Sequence, residues 1–256
     1  MLYVYAIIAD HGPEGMDLLP EGILPGVPVW QVSSGALAAV ASPVPEHLFG
    51  AEALPAHLED MPWTHARVLG HERVVCALLT RATVLPLKFC TLFSGADALG
   101  AALALHRAAL EQSVGRLRGA RDWGVKLFVK ARDPTVRAPE PAGPGAGAAF
   151  FRRKKEEQQA RAAAEAALNH CVTTSHQRLA AHARAAVSNP LQPPELHRQP
   201  GTMALNGAYL VALQDEPAWR ACLSELEGAY ADEGMHYALT GPWGAYNFAG
   251  DGLVRP

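Results

Sequence analysis

The stretch Met235-His236-Tyr237-Ala238-Leu239-Thr240-Gly241-Pro242-Trp243-Gly244-Ala245-Tyr246-Asn247-Phe248 decides how the second half of the chain is read. Tyr237 and Leu239 alternate with Ala238 and Thr240, the period of a half-buried strand. Gly241-Pro242 is expected to break the ladder, because proline has no N–H to donate. Trp243, Tyr246 and Phe248 follow within six residues, and aromatic side chains so close together need something to pack against. The stretch therefore reads as a strand buried within the second half.

Working upstream, Glu216 opens a helix with Pro217 in its first turn. Trp219, Cys222, Leu223 and Leu226 form its apolar face, and it ends near Gly234. Met203 to Gln214 reads as one strand with a bulge at Gly207. A long Ala-rich helix is expected from about Ala148 to Ser188, ended by Asn189-Pro190. Residues 132–147 hold four prolines among glycines and read as a flexible loop. Val125 to Ala131 alternates like a strand, and Arg121-Asp122-Trp123-Gly124 separates the halves.

In the first half, Leu2 to Ala9 is a continuous apolar run, the pattern of a central strand. His11 to Pro28 reads as a loop. Val27 to Val32 and Leu37 to Ala41 flank Ser33-Ser34-Gly35, a hairpin with glycine at a left-handed position. Pro43 to Pro62 allows only short helical pieces. Trp63 to Ala82 reads as an amphipathic helix with Thr64 as cap, burying Val68, Val75, Leu78 and Leu79. Thr83 to Phe93 is expected to be one strand. Ser94 then caps a helix running to about Arg118, with Leu99, Leu103, Leu110, Val114 and Leu117 inward. The halves read βββαβα and βαβαβ. They define an α+β fold with an N-terminal domain over 1–120 and a C-terminal one over 121–256.

The 11 histidines invite a metal site. His65 and His71 lie six apart, as do His170, His176 and His182. Six residues on a helix turn through roughly 240°, so these side chains diverge, whereas zinc helices use spacings of three or four. Gly143-Pro144-Gly145-Ala146-Gly147 lacks the Lys-Ser/Thr of a phosphate loop and reads as linker. No nucleophile elbow is present. Cys76 falls on a predicted apolar helix, where burial would leave it inert. No catalytic, cofactor or metal residues are assigned. Arg152, Arg153, Lys154 and Lys155 form a cationic run at the start of the long helix, opposed to its dipole. They are the candidate partner-binding residues, suited to an acidic surface.

Lys+Arg of 22 against Asp+Glu of 25 gives a net charge of −3, which argues against a dedicated nucleic-acid binder. No apolar run reaches membrane-spanning length, so no lipid membrane partner is expected. Cys76, Cys90, Cys171 and Cys222 form no short-spaced pairs, and no signal peptide is evident, which reads as a reducing cytoplasm.

Four stretches, taken in order, carry a resemblance. They are Tyr3-Val4-Tyr5, Leu85-Pro86-Leu87-Lys88-Phe89, Gly207-Ala208-Tyr209-Leu210-Val211, and Gly241-Pro242-Trp243 with Tyr246-Asn247-Phe248. Together they resemble the gas vesicle protein F/L family (GvpF/GvpL) over nearly the whole chain. There are two departures from the family pattern: Gly244-Ala245 stands where a Pro pair is usual, and Cys90 where Gly is usual. The resemblance implies two modified ferredoxin-like α/β sandwich units joined by helices. It implies a cytoplasmic, gas vesicle accessory protein that needs no cofactor and is not an enzyme. Its partners would be the hydrophobic shell protein and other gas vesicle accessory proteins. The contrasting reading is a metal- or haem-dependent enzyme built from ferredoxin-like halves.

Overall fold

A computed structural model describes residues 1–9, 19–130, 146–197 and 199–250. Much of the loop expected over His11 to Pro28, and nearly all of that over 132–147, lies outside the described residues. The chain forms two compact units, Met1–Asp122 with Pro242–Pro256, and Trp123–Gly241. The chain thus passes from one unit to the other next to Trp123, and the residues from Pro242 onward belong to the first unit. The sequence reading had placed them in the second.

The first unit is built on β1 (Leu2–Ala9), whose side chains are buried on both faces. Backbone N–H and C=O groups buried with these side chains need hydrogen-bond partners along both edges. β3 (Leu37–Pro43) pairs antiparallel on one side. β4 (Val84–Pro86) and β5 (Leu92–Phe93) share the other. β2 (Trp30–Ser34) completes the order β2-β3-β1-β4. Ser34 faces Leu37 across a tight turn, and Gly35 takes φ +66°, the left-handed conformation that glycine adopts without steric cost. The register of β1 against β3 slips between Val4 and Ala6, leaving Tyr5 as a bulge residue.

The expected single strand Thr83 to Phe93 is two strands. Leu87 N–H still bonds Tyr5 and Val4 N–H bonds Thr91, but the intervening residues leave the ladder in a turn containing Cys90. Cys90 has φ +63°, so glycine geometry is present without glycine.

Pro43 to Pro62 yields α1 (Glu46–Phe49) and α2 (Leu54–Glu59). Next comes α3 (Met61–Leu79), capped by Asp60, whose carboxylate accepts Trp63 N–H. Thr64 is not the cap; its hydroxyl donates to the His57 and Leu58 carbonyls. The buried face is His71, Val74, Val75 and Leu78, and Cys76 lies on the exposed side, contrary to the sequence reading. The helix expected to run from Gly95 to Arg118 breaks at His106 into α4 (Ala96–Leu105) and α5 (Arg107–Leu117), and Gly95 rather than Ser94 holds the cap position. The predicted stripe is buried in both pieces.

The second unit runs β6 (Ala120–Val129), α6 (Ala146–Ala181), β7 (Ala185–Ser188), β8 (Thr202–Ala212), α7 (Glu216–Tyr230) and β9 (Met235–Trp243), with sheet order β7-β8-β6-β9. This βαββαβ succession is ferredoxin-like. It contains one strand more than the sequence reading. Ala185–Ser188, expected to extend the long helix, instead pairs antiparallel with β8, with Arg184 N–H on the Leu210 carbonyl at 2.8 Å. An available strand edge outweighs the modest helix preference of Ala-Ala-Val-Ser.

Gly207 is not a bulge against β7, whose register runs unbroken to Ser188 opposite Gly207 and continues in the bond from Asn189 N–H to the Asn206 carbonyl. A Cβ there would lie 2.6 Å from the Tyr209 ring, so glycine makes room for that side chain. Trp219, Cys222, Leu223 and Leu226 of α7 are buried, as the helical spacing predicts. β9 continues through Gly241-Pro242 rather than stopping there. It is an edge strand, where a missing N–H is tolerated. Its last residue, Trp243, is exposed, and beyond it Phe248 is only half-buried, so the terminal aromatic run is not wholly interior.

Candidate interaction surface

Helix α6 has two unlike halves. From Leu168 on, Cys171, Ser175 and Leu179 recur at spacings of three and four and are fully buried. Ser175 Oγ lies 2.6 Å from the Tyr237 hydroxyl, and His176 Nδ1 lies 3.0 Å from that of Tyr209. Between Phe150 and Ala167, every side chain except that of Arg153 is exposed. These residues form about five turns of helix with no strand or helix against them among the described residues.

This solvated half carries the candidate residues. Arg152, Lys154 and Lys155 are exposed, while Arg153 is half-buried, its guanidinium 3.5 Å from Glu157 and over the Phe150 ring. The Phe150 and Phe151 rings sit edge to face at 5.9 Å, and 71% of Phe151 is exposed. The surface is therefore a cationic collar around an apolar knob, which the charge pattern alone did not reveal.

Where α6 meets the sheet, a cavity of about 440 Å³ is lined by Val129, Leu168, Asn169, Val172, Leu191 and Met203 among others. Lys126 Nζ donates to Gln192 and Asn206 to the Pro190 carbonyl, holding the segment that carries Leu191 against the sheet. The sheet edges are also distinctive. The edge strands β2, β7 and β9 hold exposed residues yet contain no Asp, Glu, Lys or Arg, the charges that commonly guard exposed edges, whereas edge strand β4 is wholly buried.

The buried polar groups serve structure. In the first unit, Cys90 N–H donates to the Tyr3 oxygen at 3.2 Å, and the Tyr3 hydroxyl lies 2.7 Å from His71 Nδ1. Tyr246 lies 2.9 Å from Nε2 and donates to Glu72 at 2.7 Å. With Tyr246 donating onward, His71 must donate from Nε2 and accept at Nδ1, which fixes its tautomer. Burial holds the imidazole down at about 4 and keeps it neutral. The Tyr3 and Tyr246 hydroxyls are raised by burial, so neither is a ready acid. Burial pushes the Cys90 thiol up to about 11, far from a nucleophilic thiolate. Asp122, also buried, is raised to about 7, a rise only partly offset by its hydrogen bond with Asn247.

Of the spaced histidines, His71 is buried, His176 half-buried, and His65, His170 and His182 exposed. Among the described residues no three His, Cys, Asp or Glu side chains form a group able to hold a metal ion. No described helix is long and apolar enough to cross a membrane.

Solved structures share this architecture. GvpF from Anabaena sp. superposes with a TM-score of 0.66 at 18% identity, over 97% of this chain and 95% of that one. GvpF from Microcystis aeruginosa gives 0.65 at 17% identity, over 97% and 98%. Sequence relatives agree along the same length. Gas vesicle protein L of a Streptomyces species is 29% identical over 97% of this chain and 92% of its own. Gas vesicle protein F2 of Halobacterium salinarum is 27% identical over 96% and 91%. The family model described as gas vesicle synthesis protein GvpL/GvpF matches residues 1–250, and the chain belongs to that family.

Proposed function

We propose that this chain is a non-enzymatic accessory protein of gas vesicle assembly, acting in the cytoplasm and at the vesicle. It binds the hydrophobic shell protein and keeps it assembly-competent, or joins the vesicle as a minor component alongside other accessory proteins. The family match over residues 1–250 carries this reading. The unguarded strand edges supply a mode: an extended segment of the shell protein adds a strand, with main-chain hydrogen bonds providing affinity. Covering an aggregation-prone surface in this way requires neither hydrolysis nor a cofactor. Arg152, Arg153, Lys154 and Lys155 assist encounter rather than hold the complex, since exposed charges mainly tune association rate.

The test is capture of co-expressed shell protein by the full-length chain. Capture is expected, and His236→Lys with Ala238→Lys on β9 should reduce it while the circular dichroism spectrum stays unchanged. Reversing the four cations should weaken capture modestly and alter its salt dependence. If reversal abolishes capture in a folded protein, the cationic collar is the principal dock. If no vesicle component binds at any salt concentration, the assembly reading fails. A stoichiometric metal or a haem absorption band in the purified protein would favour the enzyme reading instead.

A further inference from the structure

We propose that the exposed half of α6 is a homodimer seam, on which two copies of this chain pair antiparallel. The reading does not depend on the vesicle role. Phe151, Lys155, Gln158, Ala162, Glu165 and Asn169 are all exposed and follow one another at alternating steps of four and three. That spacing places them on a single stripe of the helix. At one end stands Phe151, a large apolar side chain in solvent. At the other is Asn169, on the wall of the apolar cavity with Leu168 and Val172.

The knob and the hole belong to the same rigid helix, about 27 Å apart at 1.5 Å rise per residue. Phe151 therefore cannot fill the cavity of its own chain, whereas a second copy can present its own. Setting Phe151 of one copy opposite Asn169 of the other, in antiparallel helices, fixes the remaining register. Lys155 then faces Glu165 of the second copy, and Gln158 faces its Ala162. The twofold symmetry repeats each contact, giving two buried phenylalanines and two opposite-charge pairs, with no like charges opposed along the stripe. A parallel pairing would instead stack Lys155 on Lys155 and Glu165 on Glu165. Charge thus selects the antiparallel copy, and the phenylalanines supply the apolar contact.

Sedimentation velocity of the full chain in low salt, over a concentration series, tests this. A monomer–dimer equilibrium is expected, with Phe151→Ser weakening it roughly tenfold or more. Lys155→Glu and Glu165→Lys should each weaken it about fivefold. The double exchange of Lys155→Glu with Glu165→Lys should restore it, because each copy then presents the complementary pair reversed. Helix content by circular dichroism should be unchanged in every variant. A monomer at all concentrations overturns the proposal. So does a dimer indifferent to Phe151→Ser, or a double exchange no stronger than either single variant.

Discussion

The two cores reach burial by different means. In the first unit, polar groups run through the interior in a continuous chain, Cys90 N–H, Tyr3, His71, Tyr246 and Glu72, and a second group of Tyr5, Ser42 and the Ile23 N–H lies beside it. In the second, Trp123, Trp219 and Tyr209 pack ring against ring, and neither indole N–H has a hydrogen-bond partner among the described residues. Stacked rings gain from area and shape and tolerate some repacking. A polar chain gains little net energy but penalises every arrangement that leaves one member unpaired. The first core leans on a run of hydrogen-bond partners; the second, beside its Ser175–Tyr237 and His176–Tyr209 pairs, leans more on volume.

The largest effect should come from removing volume in the second unit. Trp219 is fully buried between Trp123 and Tyr209, so Trp219→Ala is expected to cost about 3–5 kcal/mol. Chemical denaturation should show the loss, and a midpoint within error of the parent would mean that the ring stack is not what holds this unit together.

Next is a pair of titrations in the first unit that oppose each other. His71 has a folded value near 4 against 6.5, so the folded state binds fewer protons, and its contribution is lost as pH falls from about 6.5 toward 4. Asp122 has a folded value near 7 against 3.8, so the folded state binds more protons, and its contribution is lost as pH rises from about 3.8 through 7. Each amounts to something on the order of 3 kcal/mol, and together they flatten the profile. Asp122→Asn should remove one slope, leaving stability that falls steadily on acidification from pH 6.5 to 4. A flat profile in that variant would show that His71 protonates without penalty.

Deleting single polar atoms separates the two cores more finely. Tyr246→Phe removes the hydroxyl partner of the buried His71 Nε2 and the donor to Glu72, and should cost about 1–3 kcal/mol. Trp123→Phe removes an N–H without a partner among the described residues and should cost less, mostly through lost ring area and the Arg220 guanidinium 4.3 Å above the ring. Equal losses in thermal melts of the two variants would erase the distinction between the cores.

The sequence made some of this legible. The all-apolar run of β1, the hairpin at Gly35 and the face of α7 could be read because local pattern and tertiary environment agree there. β7 could not, because Ala185–Ser188 has no strand pattern of its own and becomes a strand only by meeting β8. Nor could the His71 chain. Its members come from residues 3, 71, 72, 90 and 246, and nothing local relates a tyrosine at one end of the chain to one at the other. On the candidate surface, the charge run from Arg152 to Lys155 was visible. The phenylalanines beside it acquire meaning only once the helix is seen to stand clear of the sheet.

The smallest effect concerns Cys90, which caps the polar chain in a conformation its side chain disfavours. At φ +63° a Cβ crowds the following carbonyl oxygen, at a cost of roughly 1–2 kcal/mol. Glycine would relieve that strain but give the unfolded chain more freedom, returning about 0.5–1 kcal/mol. Cys90→Gly should therefore stabilise the protein by about 0.5–1 kcal/mol net, seen as a small rise in melting temperature. The turn must close to place the Cys90 N–H on Tyr3, so the gain should persist in Trp219→Ala but shrink in Tyr3→Phe, where that hydrogen bond is already lost. A loss of stability in Cys90→Gly would mean that the half-buried cysteine side chain contributes more by packing than its backbone costs in strain.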